Sequence, residues 1–457
     1  MRTKRLSTWN GRTRAVIDRV YPEIDNGAFP IKRVVGDPVT VEADIIADGH
    51  ELLSGAVRYR RADKRSWKEI PITATGNDRY RATFSVDEMG LWEYTVVAWV
   101  DHFETWRQGL EKKHAAAVDA SIDLEIGAEL VRDAVERAKG KKSKRLAQLA
   151  ASMVEDTAEL NDRVAVALSK ELDELMKAHP DRRFAYEYPR VLSVWTDRER
   201  AAFSSWYEMF PRSTANNPGL HGTFKDAESR LTYIAEMGFD VLYLPPIHPI
   251  GETNRKGKNN ALRPAATDPG SPWAIGGKDG GHKSIHPELG TEADFTHLIK
   301  SARSYGIEVA LDIAFQCSPD HPWVSEHPDW FTMRPDGTIQ YAENPPKKYE
   351  DIYPINFESG DWQALWEELY SVFEHWIERG VTIFRVDNPH TKSFPFWEWL
   401  CARMREEHPE VILLAEAFTR PKRMYRLAKI AYTQSYTYFT WRNSPGEHRE
   451  DLREPAH

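Results

Sequence analysis

The sequence predicts a multidomain chain with an N-terminal immunoglobulin-like β-sandwich, a helical insert, and an incomplete (β/α)8 TIM barrel bearing long inserted loops. Three observations carry that reading. Short β-patterned runs fill residues 12–105, and apolar residues at helical spacing fill 106–185. From 186 to 457, strand and helix patterns alternate, with long loops after the strands.

In the sandwich, AVIDRVYPEI, PVTVEADII, LSGAVRYRRA, WKEIPITAT, YRATFSV and LWEYTVVAWV alternate inward and outward residues between Asp, Gly and Asn turns. Their even spacing suits an immunoglobulin-like sandwich without the cysteine pair of antibody domains. The helical insert follows in GLEKKHAAAVDASIDLEIGAELVRDAVERAKG, SKRLAQLAASMVEDTAEL and DRVAVALSKELDELMKAH. Gly140–Lys144, GKKSK, reads as a solvated turn between acidic flanks. Helical hairpins of this kind pack on a neighbour or a second subunit, so a homodimer is expected.

Within the barrel, strands are expected at Ser204–Phe210, at Phe239–Leu244, and in IEVALDIAF, VTIFRV and VILLAEAF, with a sixth in YTYFTW. DAESRLTYIAEMG, TEADFTHLIKSARSYG, WQALWEELYSVFEHWIERG, Phe394–Glu407 and PKRMYRLAKI supply the helices between them. Long loops span 248–290 and 316–360, and the second is expected to form a loop subdomain. Loops carried on a rigid scaffold are where binding pockets are built.

Composition narrows the function. A net charge of −9 leaves no electrostatic footprint for nucleic acid. No apolar run reaches membrane-spanning length, and the basic N-terminus MRTKRLSTWNGRTR lacks the apolar stretch of a signal peptide. Two cysteines, Cys317 and Cys401, write neither a disulfide framework nor a zinc site, and a cytoplasmic protein is the simplest reading. Aromatic residues reach 11%, with 16 Trp, which suits stacking on sugar faces as well as a large core.

The chemistry is expected in VTIFRVDNPHTK, Val381–Lys392, where a strand delivers Arg385 and Asp387 at its C-terminal end. In barrels of this type the active site lies at that end of the strands. An arginine two residues before a carboxylate would hold it ionised, as a nucleophile requires, but the same residues also suit a structural ion pair. Glu416 ends the next strand, VILLAEAF, so both carboxylates should line one rim. On its mostly apolar strand Glu416 suits a proton donor whose affinity is raised by burial. Two carboxyls at consecutive strand ends make catalysis the stronger reading.

FRVDNPHTK, LLAEAF, VALDIAFQCSPDHPW, IHPIGETNRKGKNN and ENPPKKYEDIYPINFE together resemble the signature motifs of the α-amylase superfamily. They resemble most the branch of maltosyltransferases that use α-maltose 1-phosphate to extend α-1,4-glucans. Gln316 and Cys317 stand where most α-amylase relatives carry Asn-His, and that branch shows the same pair. The resemblance runs from the first sandwich strands to about Asn443. It implies Asp387 as nucleophile, Glu416 as acid/base and Arg385 as the group that orients Asp387. It also implies Asn344, Lys347, Tyr349 and Asn388 around phosphate, with Lys256 and Gln316 on glucose hydroxyls. From the residues alone, NPPKKY suits an anion clamp or a solvated Lys-Lys turn, and His390 suits a site-lining or a packing role. Neither metal nor cofactor is expected, because carboxylates carry the chemistry.

Partners implied are maltose 1-phosphate and an α-1,4-glucan acceptor, with no nucleic acid and no membrane. The alternatives are another hydrolase or isomerase of the superfamily, or an inactive fragment that binds glucan. The resemblance also implies seventh and eighth strands and a third carboxylate, which WRNSPGEHREDLREPAH does not provide. A C-terminally truncated chain with an open barrel is therefore expected.

Overall fold

The computed structural model describes residues 10–453 except 218, so the basic segment before Asn10 and the last residues of the charged tail lie outside the described residues. The chain divides into two compact units, Met1–Thr196 and Asp197–His457.

The first unit opens with β1 (Val16–Tyr21), β2 (Ile31–Val34), β3 (Pro38–Ile46), β4 (Leu53–Arg61), β5 (Lys68–Pro71), β6 (Thr73–Gly76), β7 (Arg79–Ser85) and β8 (Gly90–Val100). Helices α1 (His102–Ala115), α2 (Ser121–Arg137), α3 (Lys141–Met153), α4 (Leu160–Ala167) and α5 (Lys170–Ala178) follow. Then β9 (Tyr186–Glu187) and β10 (Leu192–Asp197) return to pair with β8. One sheet has the order β1-β3-β7-β6, and the other β2-β10-β8-β4-β5, with β9 also on β8. Alternation along β3 turns Val39, Val41, Ala43 and Ile45 into a core shared with Phe84 and Tyr94.

Several expectations need correction here. WKEIPITAT is two strands, not one: β5 pairs with β4 in one sheet and β6 with β7 in the other. The helices begin at His102 rather than 106, because Asp101 caps α1 by accepting from the Glu104 N–H at 2.9 Å. Residues 186–197 belong to the sandwich sheet, so the expected barrel boundary at 186 moves to 197. LSVWTD is as suited to a barrel strand as to this one, and only its pairing with β8 decides. GKKSK is solvated as expected, but only Gly140, at φ 61°, is turn, and Lys141–Lys144 form the first turn of α3.

The second unit alternates β11 (Trp206–Glu208), α6 (Phe224–Glu228), α7 (Leu231–Glu236), β12 (Val241–Leu244), α8 (Glu292–Ser304) and β13 (Glu308–Ile313). A long loop then carries β14 (Gln316–Cys317), α9 (Pro322–Glu326), a hairpin of β15 (Ala342–Asn344) and β16 (Lys347–Tyr349), and β17 (Tyr353–Pro354). The chain continues through α10 (Trp362–Glu378), β18 (Ile383–Asp387), α11 (Phe394–Glu407), β19 (Ile412–Glu416), α12 (Pro421–Lys429), β20 (Gln434–Ser435) and α13 (Pro445–Arg453). One sheet, β11-β12-β13-β18-β19-β20, is parallel at every pairing and forms a partial barrel. Its inner strands β12, β13, β18 and β19 are buried on both faces, as a parallel sheet covered by helices requires, and α10 turns Leu369, Phe373 and Trp376 inward. Because all six strands run one way, their C-terminal ends share one rim.

The first barrel strand is shorter than expected, and DAESRLTYIAEMG breaks into α6 and α7 at Ser229–Arg230. YTYFTW is not the sixth strand. That strand is Gln434–Ser435, and Tyr438–Trp441 is a 3-10 turn. Its aromatic alternation serves another end: Tyr436, Tyr438 and Trp441 gather on Phe418 at 5.7, 5.7 and 5.9 Å between ring centroids. The described part of the tail forms α13, capped by Ser444 and Glu447 in reciprocal hydrogen bonds.

In the first unit α1 and α2 meet at Gly127, where a Cβ would lie 1.9 Å from Trp106 Cζ2. The Trp106 indole N–H donates to the Asp123 carbonyl at 2.6 Å, so the ring is not free to move aside. Gly127→Ala should therefore destabilise the chain in urea unfolding by about 1–3 kcal/mol. Helix propensity alone predicts a gain of roughly 0.5–1 kcal/mol for the same change, so an increase in stability would contradict the close crossing.

Candidate active site

Three neighbouring strands bring the charged groups together. Asp312 on β13 is in register with Arg385 on β18, and Asp387 on β18 is in register with Glu416 on β19. Adjacent strands are about 4.8 Å apart, so matched residues at one strand end hold their side chains as close neighbours. Arg385 is the hub. Its Nη1 donates to Asp312 Oδ2 at 2.8 Å and to Asp387 Oδ1 at 2.7 Å, and its Nη2 lies 3.6 Å from Glu416 Oε2. The guanidinium is 11% exposed and the Asp312 side chain 0%, so the cation is buried and stands only because it is paired.

Asn388 joins the two carboxylates a second time. It adopts the left-handed conformation, φ 43° and ψ 52°. Its backbone N–H donates to Glu416 Oε2 at 3.2 Å, and its side-chain amide donates to Asp387 Oδ2 at 3.3 Å. The two carboxylates are thus unequal. Asp387 receives the guanidinium in a direct hydrogen bond, while Glu416 has it only at the longer distance. Burial holds the Glu416 carboxyl above its ordinary proton affinity and the charge of Asp387 adds to this, against Arg385, the Asn388 amide and Lys392. A carboxylate held by a guanidinium, beside a carboxyl of raised proton affinity, is the pair that nucleophilic acid–base chemistry at a sugar carbon requires.

Burial likewise pushes Asp312 up to about 7, with Asp387 adding and Arg385 opposing. Tyr243 on β12 donates its hydroxyl to Asp312 Oδ2 at 2.5 Å. Burial, reinforced by Asp312, raises that phenol as well. Neither residue was among the expected site residues. Asp312 had a signal, a lone carboxylate in the apolar strand VALDIAF, whereas Tyr243 in VLYL looks like core.

The remaining expected residues lie on the two long loops. Lys256 is buried, with its ammonium 3.5 Å from Glu350 Oε2, which ties the first loop to the base of the β15–β16 hairpin. On that hairpin Asn344 lies opposite Lys347, and Tyr349 opposite Ala342. Asn344 and Lys347 are exposed, and among the described residues Lys347 makes no ion pair. No hydrogen bond or ion pair joins the hairpin to Asp387 or Glu416 among the described residues. Gln316 donates from Nε2 to the Trp273 carbonyl at 3.1 Å. His390 is half-buried, and burial pushes its proton affinity down.

One cluster has the residue types of a metal site: His282, Cys317 and His321, all buried. Its hydrogen bonds exclude that role. His321 Nδ1 accepts from the Trp323 N–H at 3.0 Å, so its Nε2 carries the proton and donates to His282 Nδ1 at 3.0 Å. His282 Nε2 then donates to the Ala314 carbonyl at 2.9 Å. Every ring nitrogen is used and none offers a lone pair to an ion. Burial keeps both rings neutral, with His321 pushed down to about 3, and keeps the Cys317 thiol protonated. The pair wedges the Gln316–Cys317 segment against Gly276 and Gly281, where a Cβ would come within 2.3 and 2.2 Å of the His321 ring.

Removing the hub should be costly. Arg385→Met leaves buried carboxylates without a cation and should lose about 3–5 kcal/mol in urea unfolding. In the unmodified chain the folded-state affinity of Asp312 lies above the unfolded one, so the native state holds an extra proton up to about 7. Its contribution to stability therefore falls as pH rises from the ordinary carboxylate range to about 7. Asp312→Asn, which mimics the protonated form, should flatten the pH profile of stability in that interval. A profile as steep as that of the unmodified chain would contradict this.

A family model described as alpha-1,4-glucan:maltose-1-phosphate maltosyltransferase, domain N/S, matches residues 13–198, and one described as alpha amylase, catalytic domain, matches residues 206–367. The alpha-1,4-glucan:maltose-1-phosphate maltosyltransferase of Chlorobaculum tepidum is 56% identical over 446 residues, covering 98% of this chain and 66% of the relative. A protein of the same name from Cereibacter sphaeroides is 49% identical over 434 residues, covering 95% of this chain and 73% of the relative. Among solved structures, an alpha-amylase from Lactobacillus plantarum is 27% identical with a TM-score of 0.44, covering 55% of this chain and 58% of that one. The chain spans 66% of the length of the first of these relatives. With about half of its residues shared over nearly its whole length, the chain belongs to the α-1,4-glucan:maltose-1-phosphate maltosyltransferase family.

Proposed function

We infer that the chain is a retaining glycosyltransferase that moves maltosyl units from α-maltose 1-phosphate to the non-reducing ends of α-1,4-glucans. The observation that carries this reading is the in-register pair Asp387 and Glu416, bridged by Arg385 and Asn388, in a member of the maltosyltransferase family. Retaining transfer needs two carboxyls about 5–5.5 Å apart, which matched residues on adjacent parallel strands supply.

The reaction proceeds in two displacements. Asp387, oriented by its hydrogen bond from Arg385, attacks the anomeric carbon of the donor as the bond to the phosphate oxygen breaks. Inorganic phosphate leaves, and a β-maltosyl ester remains on Asp387. The acceptor 4-hydroxyl then attacks the same carbon, gives its proton to Glu416, and releases Asp387, so the α configuration is restored. Phosphate needs cations and donors at its oxygens, and Lys347, Asn344, Tyr349 and Asn388 are assigned to it. Lys256 and Gln316 are assigned to glucose hydroxyls. We read the two-sheet domain as immunoglobulin-like and its helices as an insert. Homodimerisation through that insert is supported by the exposed Val118, Ile122 and Ile126, and a cytoplasmic location by a chain with only two cysteines, both buried. Sedimentation at graded concentrations tests the dimer.

Phosphate release from α-maltose 1-phosphate in the presence of glycogen tests the function. Asp387→Asn should lower turnover by roughly a thousandfold or more, and release within tenfold of the unmodified chain (about 1.4 kcal/mol) would overturn the assignment. Glu416→Ala should behave differently, because phosphate leaves without much protonation while a sugar hydroxyl needs a base. Its ester should therefore accumulate on Asp387 and appear by intact mass as one added maltosyl unit. Because Glu416 must be ionised to accept the acceptor proton and burial raises its affinity, the acid-side fall in transfer should lie above the ordinary carboxylate range. Lys347→Met should weaken donor binding by roughly 10- to 100-fold if its ammonium meets phosphate, and an unchanged KM would remove it from the site.

A further inference from the structure

Lys392 is unused by the mechanism, yet it is bound to the site. It lies on the turn that leads from β18 to α11, and its Nζ donates to the carbonyls of Asp387 and Asn388, both at 3.2 Å. Successive carbonyls of an extended strand point in opposite directions, so one ammonium can meet both only where the chain turns. Here the left-handed Asn388 makes that turn. Asn is among the side chains that enter this conformation most readily, but it still costs free energy that neighbouring contacts must offset. The Thr391 hydroxyl and backbone N–H add two further donors to the Asn388 carbonyl, at 2.8 and 3.1 Å. Turned this way, Asn388 aims its backbone N–H at Glu416 and its side-chain amide at Asp387.

We propose that Lys392 is a positioning residue for the acid/base: by clamping the Asp387 and Asn388 carbonyls it holds the left-handed turn that delivers the Asn388 amide to Glu416. The proposal rests on reading Glu416 as the acid/base. Removing the lysine takes away both a cation and, through the turn, a hydrogen bond to the ionised Glu416. Both losses raise the proton affinity of that carboxyl. The charged and titratable groups facing Lys392 are Asp387 and Arg385 from β18, Asp312 from β13, Glu416 from β19 and His390 in the turn, with Arg423 of α12 beyond His390. Glu416 itself faces Arg385, Asp387 and Lys392, and Tyr436 approaches the hub from beyond β20. A lysine that only braces a turn would lower stability and leave the Glu416 titration where it was.

The experiment is a pH titration of Glu416 by 13C NMR in the full chain labelled at glutamate carboxyl carbons, with the signal assigned by Glu416→Gln. Lys392→Met should raise the Glu416 midpoint by roughly half a pH unit or more. Lys392→Arg, which keeps a cation and several donors, should recover most of that shift. In turnover, kcat for transfer should fall more than KM changes, and the acid-side limb should move up with the titration. If Lys392→Met does not fold, Lys392→Gln keeps a donor without the charge, and its Glu416 midpoint should still rise. An unmoved Glu416 midpoint in whichever of these neutral variants folds overturns the proposal. The titration needs no turnover, so an unmodified chain that releases no phosphate would count against the proposed function alone and leave this result to stand.

Discussion

A single buried guanidinium organises the charged rim of the partial barrel. Arg385 touches Asp312 and Asp387 and lies near Glu416, three carboxylates from three consecutive strands of one sheet. Each of these acids would be costly to bury alone, and together they would repel. The cation makes the cluster tolerable, and its unequal distances make it useful. Asp387 is in direct contact with it, while Glu416 stays farther off and has a raised affinity for its proton. Strand register does the rest, since parallel pairing of β13, β18 and β19 places all three acids at one end without help from any loop.

Around that rim the long loops are held by contacts of a different kind. His321 and His282 form a neutral hydrogen-bonded relay that ends on the Ala314 carbonyl, one residue beyond β13. Packed against glycines too tight for any Cβ, the relay anchors the segment that presents Gln316. Lys256 reaches across to Glu350 and ties the first loop to the base of the exposed hairpin. Lys347 and Asn344 flank the tip of that hairpin, on an exposed segment. Segments of that kind open and close most easily.

Much of the site was legible because its signal is local. Asp387 two residues after Arg385, and Glu416 at the close of the following strand, are positions that a period-two pattern and a strand end define by themselves. Asp312 was visible as a carboxylate in an apolar strand, yet its partner lies 73 positions away and no spacing rule connects them. Tyr243 resembles any core tyrosine until its hydroxyl is seen on Asp312. Lys392 sits inside the motif that drew attention first, but its role depends on a backbone turn that residue types do not encode.

The same division runs through the fold. By itself the sequence determined the β-rich start, the helical stretch after it, the alternation of strand and helix beyond, and the two carboxylates, because these follow from short-range periodicity and strand ends. Tertiary structure alone decided that residues 186–197 complete the sandwich sheet rather than open the barrel. It also decided that WKEIPITAT divides between two sheets and that YTYFTW packs its rings on Phe418 instead of extending as a strand. In each case the local pattern fits both outcomes, and the choice lies in hydrogen bonds and ring contacts with residues far along the chain.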